Sequence, residues 1–135
     1  MSTVKKRVLV VEDDHVLRML FEDALRPYVA VDTAPNGVEA LEKTSRVEYA
    51  VIILDLVMPL MNGITFLREF RVRHAHARTK IIATTAAGRT LGLKPTDVDA
   101  FFAKPFDLPT VIHTVREYVS RASEVPTPAA DRLRP

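Results

Sequence analysis

Five short apolar runs, at Val8–Val11, Val29–Val31, Ala50–Leu54, Ile81–Ala83 and Ala100–Ala103, recur along this 135-residue chain, each closed by polar or chain-breaking residues. The segments between them carry helical spacing instead. Leu17, Leu20, Phe21, Ala24 and Leu25 share one helical face that stops before Pro27, and Val38 and Leu41, with Val47 as an outer candidate, mark a short second helix. A third helix carries Ile64, Phe66, Leu67 and Phe70. The last has Asp107 as N-cap, Pro109 in its first turn, and Leu108, Val111, Ile112, Val115, Tyr118 and Val119 at helical intervals. Strand alternating with helix predicts right-handed βαβ units: an α/β fold with a doubly wound, five-stranded parallel sheet and helices on both faces.

One interval breaks the pattern. Gly88 to Asp99 holds two glycines and a proline where a fourth helix is due, and each Gly costs a helix interior about 1 kcal/mol and Pro about 3. At most a turn or two is expected there, so the fourth helix is short or degenerate. From Ala122 onward three prolines and little apolar content predict a disordered tail or linker stub over 122–135, leaving 1–121 as one domain.

Composition excludes several functional classes. With no cysteine there is neither disulfide nor thiolate chemistry. No apolar run approaches a membrane span, and the opening residues Met1 to Arg7 lack the apolar segment of a signal peptide, so a cytoplasmic location is expected. A net charge of +2 and a pI near 9.1 invite a nucleic-acid reading. The densest cationic group, Arg68, Arg71, Arg73 and Arg78 with His74 and His76, lacks interleaved aromatics and any DNA-binding motif, and reads better as a solvated helix end. His74 and His76, two apart, cannot share a helix face as a metal pair, and His15 and His113 fall on expected exposed faces.

Chemistry collects at the strand ends. Open parallel sheets bind ligands beyond the carboxyl ends of their strands, and those ends carry Glu12 and Asp13, then Asp55, then Thr84 or Thr85, and finally Lys104. Three close carboxylates repel one another unless a cation intervenes. An all-oxygen donor set favours a hard ion, and Mg²⁺ commonly takes one or two carboxylates together with water and phosphate oxygens. Asp55 then becomes a candidate nucleophile toward phosphorus, with Lys104 and a threonine hydroxyl to bind phosphoryl oxygens.

Val-Leu-Val-Val-Glu12-Asp13-Asp14, Leu54-Asp55-Leu-Val-Met-Pro59 with Gly63, Thr84-Thr85-Ala86 and Lys104-Pro105-Phe106 occur in that order, each at a strand end. Over roughly residues 5 to 120 they resemble the receiver domain of bacterial two-component response regulators, which has a flavodoxin-like fold and includes single-domain, chemotaxis-regulator-like members. The resemblance implies Asp55 as phosphoacceptor, Asp13 as direct Mg²⁺ ligand, Glu12 as its partner acting mainly through water, and the Val57 backbone carbonyl as a further ligand. Asp14 is left as the first helix's N-cap. Thr84 and Thr85 point to opposite faces of a strand, and the family pattern of a hydroxyl residue followed by Ala selects Thr85 as the switch. Phe101, three residues before Lys104, holds the place of the family's switch aromatic, although by itself it reads equally as a core residue beside Phe102.

The resemblance further implies a phosphorylation-dependent switch, served by a sensor histidine kinase or a histidine phosphotransfer protein and acting on a downstream protein that the residues do not specify. No direct nucleic-acid or membrane contact is expected. Leu17, Leu20, Phe106 and Asp107 would face the kinase. The chain would not be an enzyme beyond its own phosphorylation and dephosphorylation: a phosphatase with an Asp nucleophile would carry a second acid at Val57. Val57 and Ala87 hold places that influence self-dephosphorylation, and neither can orient a water by hydrogen bonding, so a long-lived aspartyl phosphate is expected. The alternatives are a constitutive binding module and a receiver fragment of a larger regulator with an output domain.

Overall fold

The computed structural model describes residues 6–86 and 89–123. Its elements run β1 (Arg7–Val11), α1 (His15–Leu25), β2 (Ala30–Ala34), α2 (Gly37–Thr44), β3 (Val51–Asp55), α3 (Gly63–Arg73), β4 (Lys80–Ala86), a 3-10 turn (Pro95–Asp97), β5 (Ala100–Lys104) and α4 (Leu108–Ser123). All strand pairings are parallel, in the order β2-β1-β3-β4-β5. The order reverses between β1 and β3, which opens a crevice at their carboxyl ends.

Alternation along the strands divides the core in two. Leu9, Val11, Ile52, Leu54, Ile81 and Ala83 pack against Leu41 of α2 and Phe66, Leu67 and Phe70 of α3. Val8, Val10, Val51, Ile53 and Ile82 face Phe21 and Leu25 of α1 and Val111, Ile112 and Val115 of α4. β3, buried along its whole length, lies between both layers, which is why its sequence is an unbroken apolar run rather than an alternating one.

Each helix start has a local cause. Asp14 accepts from Val16 N and Leu17 N at 2.9 and 3.2 Å, Asn36 from Glu39 N at 2.9 Å, Asn62 from Thr65 N at 2.9 Å and Asp107 from Thr110 N at 3.2 Å. Asn62→Ala should therefore cost about 1 kcal/mol. A urea midpoint unchanged from the parent chain would show that the loop, not the cap, fixes the start of α3.

Several expected boundaries move. β2 extends to Ala34 rather than ending at Val31, because an edge strand tolerates polar residues: Asp32 pairs with Leu9 in the ladder while its carboxylate takes Arg7 at 2.9 Å and the Tyr49 hydroxyl at 2.7 Å. Val38, expected on the buried face of α2, is 52% exposed; Gly37, Ala40, Leu41 and Thr44 form that face. Leu20 is likewise exposed, leaving Phe21 and Leu25 as the buried residues of α1.

Among the described residues between β4 and β5 there is no α-helix, only a turn at Leu91 and Gly92, with φ of 53° and 83°, and the 3-10 turn. One helix is thus missing from the α2/α3 side of the sheet, and Phe101 on β5 is 39% exposed there, not a plain core residue. Asp99 anchors the start of β5: its carboxylate accepts from Ile81 N at 2.8 Å, and its carbonyl from the Tyr118 hydroxyl at 3.0 Å. Helix α4 runs two residues past the expected domain end at 121. Ala87, Gly88 and the expected tail beyond Ser123 lie outside the described residues.

Candidate functional site

β1 and β3 end side by side, Val11 opposite Leu54, so the next residues, Glu12 and Asp55, meet at the crevice. Glu12 is 1% exposed and Asp55 3%, while Asp13 stands in solvent. One carboxylate oxygen from each of the three lies within 4.8 Å of the other two. Lys104, arriving from the end of β5, places Nζ 3.1 and 3.4 Å from the two oxygens of Glu12 and 3.4 Å from Asp55 Oδ2. The Lys104–Pro105 peptide bond that follows is cis.

Backbone groups complete the cradle. Val57 N–H donates to Asp55 Oδ1 at 3.3 Å and Asp14 N–H to Glu12 Oε2 at 3.1 Å. Gly63 N–H donates to Leu56 O at 2.9 Å, and Leu56 N–H to Thr84 O at 2.9 Å, tying the loop after β3 to both α3 and β4. Arg18 was not singled out from the sequence: its guanidinium donates to the carbonyl of Glu12 at 2.7 Å and, more distantly, to that of Asp13 at 3.4 Å, holding the acidic loop from α1. A surface arginine inside an amphipathic pattern gives no sequence signal of such a reach.

The electrostatics follow from burial. Burial, then the charge of Asp55, push Glu12 from its ordinary 4.5 up to about 7, against the opposing pull of the Asp14 N–H and Lys104. Burial also raises Asp55, with Lys104 and the Val57 N–H opposing. Burial disfavours the Lys104 ammonium, yet Glu12 and Asp55 outweigh it and hold its pKa above the usual lysine value. Two buried acids whose ionisation burial disfavours, with the Asp13 carboxylate beside them and the Lys104 ammonium in contact, fit a small divalent cation, which would relieve the repulsion while the acids remain charged.

A pH prediction follows from Glu12. The folded state binds its proton more tightly than the unfolded chain, so the stabilisation is fully present below about pH 4.5 and is lost as pH rises through about 7. In chelator, the parent chain should lose on the order of 2 kcal/mol between these limits relative to Glu12→Gln. Parallel melting curves for the two proteins across the range would show that Glu12 titrates normally.

Of the two threonines, both fully buried, Thr85 donates its hydroxyl to Arg89 O at 2.8 Å, whereas Thr84 Oγ1 has no hydrogen-bond partner among the described residues. The family pattern that selects Thr85 as the switch assigns Thr84 no role. Phe101 packs in register with Ala83, away from the acids.

A five-stranded parallel sheet with three acids and a lysine gathered at its carboxyl edge defines a flavodoxin-like α/β domain of the receiver class. The chain belongs to the response regulator receiver domain family, whose model matches residues 8–116. It is therefore a receiver domain of two-component response regulators. It is 36% identical over 128 residues to the transcriptional regulatory protein ResD of Bacillus subtilis, covering 91% of this chain and 52% of ResD. It is 29% identical over 119 residues to the chemotaxis protein CheY of Halobacterium salinarum, covering 85% of this chain and 98% of CheY. The chain thus spans about half of ResD and nearly all of CheY. Among solved structures it resembles the response regulator TrrA of Thermotoga maritima in complex with Mg²⁺-BeF, with a TM-score of 0.72 and 33% identity, covering 84% of this chain and 98% of TrrA.

Proposed function

We propose that this receiver is a phosphorylation-dependent switch, in which Asp55 takes a phosphoryl group from a sensor histidine kinase or histidine phosphotransfer protein and partner binding changes as a result. The observation that carries the reading is the buried Asp55 carboxylate, within 3.4 Å of the Lys104 ammonium and grouped with Glu12 and Asp13. A carboxylate oxygen of Asp55 bonds to phosphorus as the donor's bond to phosphorus breaks, and the leaving group departs with that electron pair. Mg²⁺, held by Asp13, Asp55 and the Val57 carbonyl with Glu12 acting through water, would neutralise charge on the phosphoryl oxygens. Lys104 pairs with one of those oxygens, and Thr85, on leaving Arg89 O, hydrogen-bonds another, with Phe101 as the companion switch residue.

Exposed Val16, Met19 and Leu20 on α1, near half-buried Leu17 and Phe106, form an apolar surface suited to a kinase or phosphotransfer helix. The partners are proteins, not nucleic acid or membrane, and the location is cytoplasmic; among the described residues no helix is long and apolar enough to cross a membrane. Beyond its own loading and unloading the domain turns nothing over. ResD extends well beyond the matched region, which favours as a second reading a receiver fragment of a larger regulator.

The test is intact mass after incubation with a small phosphodonor, with and without Mg²⁺, beside Asp55→Asn. A single Mg²⁺-dependent adduct absent from Asp55→Asn is expected. Persistent absence in the parent chain with several donors would favour a constitutive binding module. Because Val57 cannot orient an attacking water, Val57→Asn should shorten the adduct's lifetime several-fold in a time course of mass spectra; an equal lifetime would remove Val57 as its determinant.

A further inference from the structure

The row of side chains that includes the phosphoacceptor contains one more polar group, unaccounted for by the switch. Val8 and Val10, Val51 and Ile53, and Ile82 all face α1 and α4; by alternation Glu12, Asp55 and Thr84 project to that same side. Lys104 does so too, in step with half-buried Ala100 and Phe102, and Thr84 is the register partner of Asp55 across β3 and β4. Thr84 is therefore the direct lateral neighbour of Asp55. It is fully buried and its hydroxyl has no hydrogen-bond partner among the described residues, while buried Thr44 and Thr85 both donate to carbonyls, at 3.0 and 2.8 Å. An unpaired buried hydroxyl weakens a fold, and valine would fill the same volume without that penalty.

The unmodified carboxylate has no need of this hydroxyl. Asp55 Oδ1 is already held by Val57 N–H and Oδ2 by Lys104. A phosphoryl group changes the count, since it brings three strong acceptor oxygens into a region where these donors are already engaged. Thr84, in register with Asp55 on the adjacent strand, carries an unspent donor, and one χ1 rotation redirects it.

We infer that Thr84 is a positioning residue for the modified Asp55: its hydroxyl stays unpaired beside the free carboxylate and gains its partner when a phosphoryl group is attached, so its pairing favours the loaded state. This rests on the reading of Asp55 as phosphoacceptor. It gives the domain a second functional hydroxyl, on the nucleophile's face of the sheet and opposite to that of Thr85.

The test uses trifluoroberyllate with Mg²⁺ as the phosphoryl stand-in, its affinity measured by calorimetry on the parent chain, Thr84→Val and Thr84→Ser. Thr84→Val should bind it about fivefold or more weakly, the change expected for one lost hydrogen bond, yet melt higher than the parent in the absence of the probe. Thr84→Ser, which keeps the hydroxyl, should bind within about twofold of the parent. Parent-like affinity in Thr84→Val overturns the inference, as does an equal loss in Thr84→Ser, which would assign the effect to methyl packing. A parent chain that neither binds trifluoroberyllate nor forms a phosphoryl adduct overturns the phosphoacceptor reading itself, and this inference with it.

Discussion

Gly63→Ala is expected to destabilise the domain by about 3 kcal/mol or more. A Cβ at Gly63 would lie 2.5 Å from Asp55 O and 2.8 Å from Leu56 Cα, both backbone atoms that no side-chain rotation can clear. Relief requires either α3 to withdraw from the sheet or the end of β3 to shift. The second route displaces Asp55, so the variant should also lose phosphoryl loading out of proportion to its unfolded fraction. Gly92→Ala is the contrast: nothing lies within 4 Å of its Cβ, and only the positive φ of 83° is strained, at a cost of about 1–2 kcal/mol. Equal urea midpoints for the two variants would refute the close-packing argument.

Lys104→Ala should cost on the order of 2–3 kcal/mol at pH 8 and much less near pH 5. The Lys104 side chain is 27% exposed, and its ammonium contacts both buried acids. Without it Glu12 and Asp55 must either stay ionised without a counter-charge or take up protons. Glu12 already sits near 7 and Asp55 above its ordinary value, so the variant's penalty grows as pH rises through neutrality and fades where both are protonated. Melting temperatures of parent and variant across pH 5 to 8 in chelator test this; a pH-independent difference would mean that Lys104 stabilises through its aliphatic stem alone. Millimolar Mg²⁺ should recover part of the loss at pH 8, because it supplies charge to the same oxygens.

Which parts of this molecule were readable in one dimension follows from the range of the forces involved. Helix starts were legible because a cap is a local event: Asp14 and Asp107 bond amides two or three residues ahead. The missing helix after β4 was legible because glycine and proline act on their own dihedrals. Strand ends were less so. Thr33 and Ala34 belong to β2 only because β1 offers a ladder beside them. Val38 looked like a core residue because α2 is short, and small Ala40 and Gly37, rather than Val38, allow its close approach.

The sequence by itself determined the α/β alternation, the single gap in it, and the set of acids, hydroxyls and lysine at strand ends, since each depends on residue type and on neighbours within a few positions. The tertiary structure alone decided how those residues meet. It placed Lys104 between acids from strands 92 and 49 residues earlier in the chain, folded Arg18 back onto the acidic loop, and exposed Phe101 where a helix is absent. It also separated two adjacent threonines by a property no sequence carries. Thr85 finds a carbonyl in the loop that follows it, whereas Thr84 is sealed beside Asp55 without one, because hydrogen-bond satisfaction depends on three-dimensional neighbours and not on the residue's own chemistry.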